Sequence, residues 1–62
     1  MTINEQLRKL RKDQSITTRR LSELTGVSKT IIINFENGKA NITMDTLYRI
    51  TNALGATIEI ST

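Results

Sequence analysis

Apolar residues recur along the chain with a helical period in four blocks. Ile3, Leu7 and Leu10 stand at i, i+4 and i+7, one stripe of a first helix. Thr2, with Glu5 three residues later, fits a capping box at its start, and Asp13-Gln14-Ser15 breaks the pattern. Thr17 is a suitable N-cap for a second helix over about 18–24, with Leu21 and Leu24 as its expected buried pair. Gly26 stops it. Ser28 is expected to cap a third helix over about 29–37, ended by Gly38. Lys39-Ala40-Asn41-Ile42 reads as a loop. Thr43 then caps a fourth helix from Met44 to about Leu54, with Leu47, Ile50 and Leu54 on one face and Gly55 as its stop.

The last segment changes period. Ala56, Ile58 and Ile60 alternate with Thr57, Glu59 and Ser61, the period-two pattern of a strand. The chain offers this strand no partner, and a lone strand leaves its backbone groups unpaired. The simplest partner is the same strand of a twofold mate, through Ile58 and Ile60. A short frayed or helical tail is the other reading. The predicted fold is therefore mainly α: a small four-helix domain over 1–62, with a short C-terminal β-strand over 56–61 paired across a homodimer.

Length makes a partner chain plausible on physical grounds. A chain of 62 residues buries only about 60% of its unfolded surface, and unstapled small domains often oligomerise. Cys, His, Pro and Trp are all absent. Disulfides and Ser–His or Cys–His nucleophiles are thereby excluded, and a metal site would have only carboxylates. The carboxylates show no paired arrangement suited to acid–base catalysis. This inventory argues against an enzyme and calls for no cofactor. No apolar run is long enough for a membrane span, and residues 1–5 lack the pattern of a secretory signal. A cytoplasmic location is the expectation.

The net charge of +3 is unevenly placed. Residues 1–39 carry +4 and residues 40–62 carry −1. A basic half points to a polyanion; a solvated charged surface is the blander reading. The third helix bears the candidate chemistry. At about 100° per residue, Thr30, Ile33, Asn34 and Asn37 share one face, opposite Ile32 and Phe35, with Lys29 on the flank. Ile33 on the solvent side has no structural reason to be there. Contact with thymine methyl groups and contact with a partner protein both account for it. Tyr48 and Met44 are expected to fill the core from helix four, and Asp45 to face the positive end of that helix's dipole.

A short helix, a turn through glycine and a second helix form a helix-turn-helix arrangement, whose second helix enters the major groove. From Leu7 to Leu54 the sequence resembles the phage Cro/repressor, or XRE-type, helix-turn-helix regulators. The resemblance is carried by residues 17–39, with the Gly26-Val27-Ser28 turn, Ile32 and Glu36-Asn37-Gly38-Lys39. The fourth helix, Met44-Asp45-Thr46-Leu47 through Leu54-Gly55, extends it. It implies a cytoplasmic, bacterial or phage-encoded repressor that binds double-stranded DNA at a pseudo-palindromic operator. It implies base contacts from Lys29, Thr30, Ile33 and Asn34. Phosphate contacts fall to Thr18, Ser28, Lys39 and Asn41; Arg19, next to the start of the second helix, is read from its place as a further phosphate contact or as a solvated side chain. Thr18 stands where the family usually has Gln. Arg11 and Glu36 fall where the family often joins helices one and three by an ion pair, and Ser22 at the tight crossing of helices two and three. The Ile31 and Ile33 positions and the strand-like ending depart from the family's pattern. The ending resembles regulators and antitoxins that dimerise through such a strand, so an antitoxin that binds a toxin protein and autoregulates its operon is the alternative function.

Overall fold

A computed structural model describes residues 2–56. Four helices follow in order: α1 (Ile3–Asp13), α2 (Thr18–Thr25), α3 (Lys29–Glu36) and α4 (Met44–Ala53). Three begin on a threonine whose hydroxyl accepts the N–H three residues on: Thr2 from Glu5, Thr17 from Arg20, and Thr43 from Thr46. Each bond satisfies one of the donors that a helix start leaves orphaned. Thr2 also donates its hydroxyl to the Glu5 carboxylate at 3.2 Å, so the cap and the acidic first-turn residue hold each other.

The helix ends obey one rule with one exception. After α3, the Lys39 N–H reaches the Asn34 carbonyl (2.8 Å) and the Gly38 N–H reaches that of Phe35 (3.0 Å), the paired bonds of a Schellman ending. The motif needs a left-handed residue, supplied by Gly38 at φ +73°. After α1 the same pair of bonds forms, Ile16 to Arg11 and Ser15 to Lys12. There the left-handed residue is Ser15, at φ +57°. A Cβ in this region costs about 1–2 kcal/mol, so α1 ends with stored strain where α3 has none.

Each helix contributes to a single core. Leu7 of α1, Leu21 of α2, Ile32 and Phe35 of α3, Ile50 of α4, with Val27 and Leu54, are buried, and Leu10, Ile16, Ile42, Leu47 and Ala53 pack around them. α1 lies on α3, and α2 on both α3 and α4. Burial of a side chain such as Leu21 contributes about 1.5–3 kcal/mol.

Several expected core positions are corrected. Leu24 is 48% exposed. The inward arc of α2 runs through Thr18, Leu21, Ser22 and Thr25, so Leu24 falls on the other side of Leu21. Met44 and Tyr48 do not fill the core; both stand open to solvent. The α4 core face centres on Ile50 and Leu54, with Thr51 at its edge. Tyr48 points roughly 160° away from Ile50, and Met44 roughly 120°. Ile3 heads its stripe but is exposed, because it occupies the first position of α1, beyond the edge of the core. Thr51, unremarked in the sequence, is 2% exposed. Its hydroxyl is satisfied by donation to the Tyr48 carbonyl at 3.1 Å. Apart from Ala56, the expected strand over 56–61, with Ile58 and Ile60, lies outside the described residues.

Candidate nucleic-acid interface

The turn between α2 and α3 spans only Gly26, Val27 and Ser28, and every bond around it restrains the angle at which α3 leaves. Val27 is buried and pins the turn to the core. The Ser22 hydroxyl donates to the Val27 carbonyl at 2.6 Å. The Thr25 hydroxyl donates to the Leu21 carbonyl (2.7 Å) and accepts the Val27 N–H (3.1 Å). Gly26 closes α2 through its N–H to the Ser22 carbonyl. Ser22 fits the crossing because it is small, and its hydroxyl also replaces a backbone donor that the turn lacks. Neither staple was anticipated from the sequence. The signal was present as two hydroxyl residues at i and i+3 immediately before the glycine.

The inner face of α3 is dry. Ile32, Phe35 and Glu36 are buried. Glu36 is held by a two-toothed bond to Arg11: Nε donates to Oε2 at 2.7 Å and Nη2 to Oε1 at 2.9 Å. Arg11 Nη1 donates further to the Ile16 carbonyl at 2.7 Å. The hydrogen bond to Glu36 raises the Arg11 pKa above its ordinary value against the opposing effect of burial. The arginine therefore stays charged, and it neutralises the one carboxylate on α3 while tying α1 to α3. This is the pair that the family resemblance implied.

The outer face of α3 has the opposite character. Lys29, Thr30, Ile33 and Asn37 are exposed and Asn34 is half-buried. None of the polar side chains among them makes a hydrogen bond within the described residues. No acidic residue occurs between Glu23 and Glu36, so nothing on this face repels a phosphate. The start of α3 also differs from expectation. Ser28 occupies the N-cap position but its hydroxyl makes no cap bond. The Ser28 carbonyl still accepts the Ile32 N–H at 3.0 Å. The hydroxyl of the exposed Ser28 thus leaves the first N–H groups of α3 uncapped, and uncapped N–H groups at a helix start suit an anion.

The remaining expected contact residues flank this helix. Thr18, half-buried, is the first residue of α2, and Arg19 follows it fully in solvent. Arg19 and Arg20 share Glu23 at 3.6 and 3.3 Å across an exposed surface. Such pairs are weak and are readily exchanged for another anion. Lys39 and Asn41 are exposed in the α3–α4 loop. That loop is anchored at one end by the Schellman bonds and at the other by Ile42 against the core and the Thr43 cap. Lys29 and Lys39 have no ion-pair partner among the described residues, whereas Arg49 pairs with Asp45 at 3.1 Å. No cluster of three or more His, Cys, Asp or Glu suited to a metal ion occurs among the described residues. No helix there is long and apolar enough to cross a membrane.

The outer face of α3 is polar apart from Ile33 and carries Lys29 without an acidic residue. A major groove about 12 Å wide admits an α-helix. In comparison with known proteins, a helix-turn-helix family model matches residues 7–60. No curated protein matches the chain. The match takes in the second turn of α1, the α2–turn–α3 unit and α4, the same elements that build and brace the outward face of α3. The chain belongs to the XRE-type helix-turn-helix family of DNA-binding transcription regulators, which is not an enzyme family.

Proposed function

We propose that this protein is a cytoplasmic repressor that occupies a pseudo-palindromic operator as a homodimer. Each protomer inserts α3 into a major groove, the two insertions lying about 34 Å apart. Lys29, Thr30, Ile33 and Asn34 meet base edges. Thr18, Arg19, Ser28, Lys39 and Asn41 hold phosphates on either side. Ile58 and Ile60, in the strand expected over 56–61, join the two protomers. The domain extends over 1–62, with its reading unit at 17–38.

One observation carries this reading. The polar side chains that brace α3, namely Arg11, Ser22, Thr25 and Glu36, all bond within the protein. Those on the outer face and its flanking loop make no side-chain bond among the described residues, apart from the exposed Arg19–Glu23 pair. Site selection from random DNA at fixed salt, followed by two variants, tests it. Asn34→Ala relaxes preference at one position of each half-site, where a good amide–base contact is worth about 1–3 kcal/mol. Lys39→Ala weakens all sequences alike and flattens the salt dependence by about one phosphate contact. Uniform loss from both variants refutes the assignment of readers.

A second reading draws on Leu24, Met44 and Tyr48, large apolar side chains left in solvent. In that reading the protein is an antitoxin that neutralises a protein toxin and autoregulates its operon. A toxin gene beside this one, and a stable complex on co-expression, carry it; a lone gene does not.

A further inference from the structure

Ile33 is the one apolar member of the outer arc of α3. It is 37% exposed and stands at one edge of an arc about 100° wide that it shares with Thr30, Asn37 and Asn34. Ile31, also exposed, lies roughly 160° around the helix from it, so the two do not form a continuous apolar patch. A protein partner that recognised Ile33 would meet a single branched side chain with a hydroxyl and two amides to one side of it. The major-groove edge of an A·T pair has the matching mixture: adenine N6 and N7 form a donor and acceptor, and thymine presents O4 beside its C5-methyl. A G·C pair carries no methyl.

We infer that Ile33 is a specificity-determining residue that reads the C5-methyl of a thymine, with the Asn34 amide beside it on the hydrogen-bonding edge of adenine. The inference rests on the DNA-binding reading and adds to it the base and the atom recognised. Each operator half-site then contains an A·T pair under the middle of α3. The thymine methyl there is a determinant separate from base pairing.

Uracil tests this directly, because it pairs as thymine does and lacks only the methyl. Duplexes carrying the selected site, with each thymine replaced in turn by uracil, are titrated with the wild-type protein and with Ile33→Ala at one salt concentration. Alanine at an exposed helical position favours the helix, so the variant keeps its fold; Ile33→Val, which retains the branched contact, accompanies it. In the wild type, uracil at one thymine of each half-site weakens binding about four-fold, the equivalent of about 0.8 kcal/mol for one buried methyl. Ile33→Val keeps most of that penalty, and in Ile33→Ala it disappears. Equal wild-type affinity for every uracil duplex overturns the inference, as does a full penalty persisting in Ile33→Ala. In both of those cases site-specific DNA binding itself survives. If selection enriches no site, the DNA-binding reading falls as well.

Discussion

The Arg11–Glu36 bond is the contact on which the position of α3 most depends, and its removal has a calculable consequence. The two side chains are 10% and 7% exposed, and three short bonds converge on the guanidinium, two from Glu36 and one from the Ile16 carbonyl. Glu36→Leu leaves the arginine charge buried with one neutral acceptor. Arg11→Met leaves the carboxylate buried and the Ile16 carbonyl without that donor. Breaking one side of a buried pair costs about 3–5 kcal/mol. A chain of this length has roughly 3–9 kcal/mol in total, at about 0.05–0.15 kcal/mol per residue. Each single variant therefore loses a large part of the total stability at room temperature. The double variant Arg11→Met with Glu36→Leu removes both charges together, and an apolar replacement of a buried pair is often neutral or better. Its loss is expected to fall well short of the sum of the two singles, a coupling at or above the roughly 3 kcal/mol that marks the upper end for contacting pairs. Urea unfolding followed by far-UV circular dichroism measures all four corners of the cycle. A single variant that loses less than about 1 kcal/mol, or a double variant as unstable as the two singles added, shows that no dry, shared bond exists and refutes the reasoning.

Other expectations follow from the same geometry. Ser15→Gly relieves the left-handed serine that closes α1 and stabilises the fold by about 1 kcal/mol, raising the melting temperature by roughly 4–8 °C; no change in a thermal scan counts against the strain. Ser22→Ala removes the hydroxyl bonded to the Val27 carbonyl and costs about 1 kcal/mol. DNA affinity should fall by more than this loss of stability explains, because the turn sets the angle of α3. Thr17→Ala loses the α2 cap at a cost of about 1 kcal/mol in urea unfolding, while the same change at Ser28, which caps nothing, leaves stability within about 0.5 kcal/mol and shows only in DNA binding. The variant with both Ile58→Asp and Ile60→Asp sediments as a monomer if the proposed strand joins the dimer; an unchanged dimer removes that part of the proposal.

The caps were legible because they are local. Thr2, Thr17 and Thr43 each bond three residues away, and the spacing alone predicts that bond. Ser28 has the same local pattern and does not make the bond, since the short turn after Gly26 and the burial of Val27 dictate its backbone. The outer face of α3 was also legible: once Ile32 and Phe35 face inward, the 100° step carries Thr30, Ile33 and Asn34 outward. Leu24, Met44 and Tyr48 were misjudged for the converse reason. Hydrophobicity says that a side chain gains from burial, but not whether a neighbouring helix is there to cover it.

By itself the sequence determined four helices, their starts, the glycine-closed ends and the residues that α3 can present, because these follow from bonds and steps within a few residues. The tertiary structure decided which helix faces meet, that small Ser22 and Thr25 fasten the turn, and that Ser15 takes the place of a glycine. Those outcomes depend on packing between segments distant in the chain, as in the Arg11–Glu36 bond, where two charges become one neutral brace only after the helices carrying them have come together.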